Sequence, residues 1–123
     1  MDRRQAQGVQ RLAQLAAMKR EAELAKLAAV AQSRARLQGA LQAFRRSESP
    51  LDSAEAVADP GMVAARLAHR RWTEAQVRRL NQQLAMVTAD WLRQKPAAAR
   101  AFGRAAVLEQ LSETATSADR KRR

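Results

Sequence analysis

An all-α fold, an antiparallel two-helix coiled-coil hairpin with a short C-terminal helix and a disordered basic tail, is what this sequence predicts, on three observations. Alanine, Leu, Arg, Gln and Glu dominate it, and these are the strongest helix formers. Aromatic residues make up only 3% of the 123, within a hydrophobic share of 46% supplied largely by alanine. Large apolar side chains bury the most area, so this stock is too thin for a globular core and sufficient for a narrow seam between helices. The apolar residues also recur at steps of three and four, and no stretch alternates as a half-buried strand would.

The first helix is predicted over residues 7–46. Val9, Leu12, Leu15, Leu27, Val30, Leu37, Leu41 and Phe44 share one stripe at the helical period, joined by Ala13, Ala16 and Ala22. Lys19 and Glu23 lie four apart on the same stripe, a spacing at which a charge can be held in a pair. Residues 47–59 read as a connector, with Ser49, Pro50 and Asp52 as a short helix-start signal and one helical turn around 54–58. Asp59 then offers an N-cap, with Pro60 at the first helical position.

The second helix is predicted over 60–95. Val77, Leu80, Leu84, Val87 and Trp91 step by three and four in strict heptad fashion, with Val63 on the same line and Arg70 and Thr73 between. Similar helix lengths about a short connector favour an antiparallel pair. Counting outward from the connector sets Phe44 near Val63 and Leu12 or Leu15 near Trp91. Residues 1–95 therefore form the hairpin. Pro96 stops or kinks the second helix, a shorter helix follows to 113, and residues 114–123, ending Arg120-Lys121-Arg122-Arg123, form the disordered basic tail. Parallel self-association competes with the hairpin, because heptads alone leave chain direction open.

The formal net charge is +11. Residues 1–46 carry ten Lys/Arg against three acids and residues 62–95 carry seven against two, while residues 47–61 hold four acids and no base. A field of this kind draws anionic partners. No cysteine is present, no run approaches the ~20 apolar residues of a membrane span, and the N-terminus lacks a secretory apolar core. The expectation is a soluble cytoplasmic protein.

Catalysis needs titratable groups converging on a concave site. His69 is the only histidine and lies among arginines, where a solvated helix residue is the commoner role; the four glycines are isolated. No metal-ligand or phosphate-loop spacing occurs, so neither an enzyme nor a cofactor is expected. Partner binding is assigned instead to Arg70, Arg71, Trp72, Arg78, Arg79 and Phe102. Arg71 and Arg78 lie off the seam, although a solvated charged face is the blander account of such pairs. Trp72 falls about 100° from the centre of the Val77/Leu84/Trp91 stripe on the helical period. It either covers a folded-back segment carrying Phe102, Leu108 and Leu111, or meets another protein. The seam residues proper are Leu27, Val30, Leu37, Leu41, Phe44, Val77, Leu80, Leu84, Val87 and Trp91.

The run Arg71-Trp72-Thr73-Glu74-Ala75, then Leu80-Asn81, then Arg100-Ala101-Phe102-Gly103-Arg104-Ala105, resembles the FliJ/YscO family of flagellar and type III export coiled coils. The resemblance covers residues 71–111 in wording and the predicted architecture throughout. It implies a component of the flagellar type III export apparatus, at the cytoplasmic face of the flagellar base, contacting the export ATPase, the export gate or substrate chaperones. The shortened helices and the acidic connector depart from longer members of the family. A nucleic-acid-binding protein is the alternative, supported by charge and the basic tail. Against it stand charge spread around both helices, no aromatic ladder for base stacking and no helix-turn-helix spacing.

Overall fold

A computed structural model of the chain describes residues 2–47 and 59–122. It is all-helical: α1 spans Arg3–Ser47 and α2 spans Pro60–Arg122, with no strand among the described residues. The predicted connector, including its helical turn, lies almost wholly outside them.

Both helix starts are capped. At α1 the Gln5 backbone N–H donates to Asp2 Oδ1 at 2.8 Å and the Asp2 N–H donates to Gln5 Oε1 at 3.2 Å. This reciprocal capping box satisfies two otherwise orphaned donors and starts the helix four residues earlier than Gln7. At α2 the Gly61 N–H donates to Asp59 Oδ1 at 3.0 Å, directly after the predicted cap. At the end of α1, the Ser47 hydroxyl donates to the Phe44 carbonyl at 2.8 Å.

Two compact units are built from these helices. One joins Met1–Val30 with Trp91–Arg123, and the other comprises Ala31–Asp90.

In the first unit the helices run antiparallel, since Glu23 meets Gln94 while Ala13 shares a groove with Ala105. The contact is an alanine seam. Ala98, Ala101, Ala105 and Ala115 of α2 are buried, and Ala13, Ala16 and Ala17 of α1 are half-buried. Leu12 and Leu15, assigned to the seam from sequence, are 54% and 60% exposed, so they flank the contact instead of forming it. Methyl side chains let two backbones approach closely, and that close approach leaves the leucines outside. Nor does α2 stop at Pro96. It continues through the proline to Arg122, replacing both the separate helix at 96–113 and the disordered tail up to that residue. Two features explain the passage. Pro96 lies on the exposed side, where water can reach the Leu92 carbonyl that it leaves without a donor; and the heptad line carries on beyond it through Ala98, Ala101, Ala105, Leu108, Ser112 and Ala115.

One polar layer interrupts this seam. Glu23 is 5% exposed, pairs with Lys19 at 2.8 Å and Lys26 at 3.3 Å, and accepts a 2.5 Å hydrogen bond from the Gln94 amide. The Lys19 hydrogen bond, then those from Gln94 and Lys26, draw its pKa down to about 2 against the opposing effect of desolvation. Lys95 Nζ lies 4.4 Å from the centre of the Trp91 ring, a cation–π contact at the edge of the same unit.

In the second unit the seam is bulkier. Leu41 is 5% exposed, with Leu37, Phe44, Val77, Leu80, Leu84 and Val87 half-buried around it. The helices are again antiparallel, as Arg34 Nε donates to Thr88 Oγ1 at 3.3 Å and Phe44 meets Trp72. The predicted partner of Phe44 was Val63, nine residues earlier on α2. That register assumed equal helices paired outward from the connector. In fact α2 is 63 residues long against 45 for α1, and in this unit its first turns run on past Ser47. Val63 is accordingly 52% exposed.

Candidate protein-binding surface

The strongest surface feature is the stretch of α2 where α1 ends. Pro60 to Arg71 continue the helix, and their seam positions Val63, Arg66 and Arg70 keep the three–four spacing that leads into Thr73 and Val77. Thr73 is buried, its hydroxyl donating to the His69 carbonyl at 2.9 Å. It marks the last well-covered position. Before it, Met62, Val63 and Leu67 are 54%, 52% and 47% exposed. A groove of about 430 Å³ runs along this face between the end of α1 at Ser47 and the α2 residues Met62, Arg66, His69 and Glu74.

Trp72 stands at its edge. Its ring meets Phe44 of α1 edge-on at 6.0 Å between centroids, and His69 of its own helix in a stacked arrangement at 6.1 Å. Both contacts hold the indole in place, yet 54% of the residue is exposed. The covering segment anticipated from Phe102, Leu108 and Leu111 does not form: those residues belong to the unbroken α2, in the first unit, where Phe102 is 56% exposed. Arg70, Arg71, Arg78 and Arg79 are all exposed. The structure thus gathers Arg70, Arg71 and Trp72 with His69 and Arg66 on one short stretch. Arg78 and Arg79 lie further along α2 in the same unit, and Phe102 lies in the other.

Sequence reasoning passed over Met62, Arg66 and Leu67. Their signal was available, since three apolar residues and three arginines without an acid occupy residues 60–72. Placing Val63 beneath Phe44 hid it.

Among the described residues, no cluster of three His, Cys, Asp or Glu side chains could hold a metal ion. No described helix is long and apolar enough to cross a membrane. Comparison with known proteins adds no relative: no family model, no curated protein and no solved structure matches the chain.

Proposed function

We propose that this chain is a non-enzymatic helical interaction protein, and that its setting is the cytoplasmic side of the flagellar type III export apparatus, with the export ATPase or the export gate as its protein partner. The observation that carries the interaction reading is Trp72, an aromatic residue fixed by Phe44 and His69 and still more than half exposed, beside an apolar and arginine-rich stretch of α2. Rigid aromatic and arginine side chains of this kind are the groups that most often anchor protein interfaces. The setting rests on the resemblance of residues 71–111 to export coiled coils. A net charge of +11 suits a ring or gate with acidic loops.

Purified chain, treated with nuclease, is to be titrated against the purified export ATPase and against the cytoplasmic domain of the gate. A saturable complex that weakens with Trp72→Ala, while helicity is kept, is the expected result. Binding that disappears on nuclease treatment would transfer the protein to the nucleic-acid class. Failure of both purified partners to bind would remove the export setting.

A further inference from the structure

We infer that the seam line of α2 ahead of Thr73 receives an acidic amphipathic helix of a partner protein, lying where α1 has come to an end. The inference rests on the interaction reading above and names the chemistry of the partner.

Three observations carry it. The first is continuity with an interface already formed. Val63, Arg66, Arg70, Thr73, Val77 and Leu80 make one unbroken three–four line, and the part from Thr73 onward is covered by α1 through Phe44 and Leu41. The same geometry that accepts α1 therefore extends toward Pro60 with no α1 residue described beyond Ser47. A helix is the shape that this line is built to take.

The second is the apolar content. Met62, Val63 and Leu67 show about half of their surface to solvent, on a helix whose first turn is firmly set by the Asp59 cap. Trp72 adds a rigid aromatic edge. Leucine-like side chains at the a and d positions of an incoming helix would fill the groove between Met62 and the end of α1.

The third is charge. Residues 60–72 hold Arg66, Arg70 and Arg71 and no acid, and Arg66 and Arg71 form no ion pair among the described residues. Glutamates flanking the seam of the incoming helix would meet Arg66 and Arg71. A second copy of this chain would bring like charge to the same place, which disfavours self-pairing there. Nucleic acid would answer the arginines and leave Met62, Val63 and Leu67 without apolar cover.

The test uses the full chain and a synthetic helix of about three heptads, with leucine at a and d and glutamate at the flanking positions. Titration calorimetry at moderate salt is expected to show one-to-one binding that weakens as salt rises. Leu67→Glu and Arg66→Glu should each weaken it by about tenfold or more, as substitutions at a central anchor do. Leu15→Glu, an exposed leucine of the other unit, should leave it unchanged. Circular dichroism shows that each variant keeps its helix content. Equal binding by Leu67→Glu overturns the inference, as does equal binding of a peptide with lysine in place of glutamate. Failure of the acidic peptide to bind overturns it as well. So does a self-associated chain in sedimentation that Leu67→Glu dissociates, or backbone amides of residues 62–72 already protected from exchange beyond the rest of α2 in the free protein. The two readings fail separately. Export-ATPase binding that ignores Leu67→Glu removes only this inference, whereas peptide binding without any export partner removes only the export setting.

Discussion

Replacing Pro96 by alanine should make the protein more stable. The proline lies inside α2, where it withholds a backbone donor from the Leu92 carbonyl and crowds the preceding turn. Proline costs about 3 kcal/mol relative to alanine in a helix interior. Two corrections apply here. Leu92 is 57% exposed, so water already satisfies part of the lost bond, and the helix has absorbed the clash without ending. Alanine also frees the unfolded chain, which costs about 0.5–1 kcal/mol in the opposite direction. The net gain is then about 1–2 kcal/mol, or a rise in Tm of about 4–8 °C at roughly 4 °C per kcal/mol for a chain of this size. Thermal and urea melts followed by circular dichroism would measure it, with an unchanged urea slope showing that the same structure unfolds. A fall in Tm would refute the reasoning, because it would mean that Pro96 sets a bend on which the alanine seam after it depends.

Three other outcomes follow from the packing. Ala105 is 2% exposed between the two backbones, so Ala105→Leu should destabilise by about 1–3 kcal/mol through overpacking, read as a lower urea midpoint. Leu41→Ala removes the most buried large side chain of the bulkier seam and should cost about 2–3 kcal/mol in the same assay, at the low end of core truncations because solvent is near. Glu23 has its folded-state pKa depressed to about 2 from 4.5, so its contribution is present above pH 4.5 and is lost as pH falls towards 2. Melting temperatures taken across that window should drop in the native chain and drop less in Glu23→Gln; parallel curves would show that the carboxylate contributes nothing.

The parts of this architecture that sequence reveals are those written in large apolar residues. Val77 to Trp91 displays its heptads openly, and Leu27 to Phe44 displays the matching stripe. After Trp91 the same heptad continues unbroken, but in Gln94, alanines and Ser112, whose small or polar side chains carry little hydropathy. A rule that ends helices at proline then outweighed a periodic signal too faint to oppose it. The register failed for a linked reason. With α2 cut short at Pro96, the two helices looked equal, and pairing them from the connector buried Val63 beneath Phe44 on paper. The Asp2/Gln5 capping box was legible as an acid followed three residues later by Gln, and an apolar-stripe criterion alone skipped it. The candidate surface was half visible. Trp72 and its arginines stood out by composition, while the apolar residues ahead of them became surface only once the true pairing was known.

The Glu23–Gln94 layer bears on how such a pair finds its alignment at all. A row of methyl groups discriminates poorly between one alignment and the next, since sliding by seven residues puts alanine against alanine again. The same slide would carry Gln94 away and face the carboxylate with Val87 or Ala101, neither of which can donate a hydrogen bond. A single mismatched polar residue is thus a detent in an otherwise smooth track, as a lone polar core position is in other coiled coils. Gln94→Leu should let the helices settle in more than one alignment, visible as multiple distances between paired spin labels placed on α1 and α2. A single sharp distance in that variant would assign the alignment to the alanines after all.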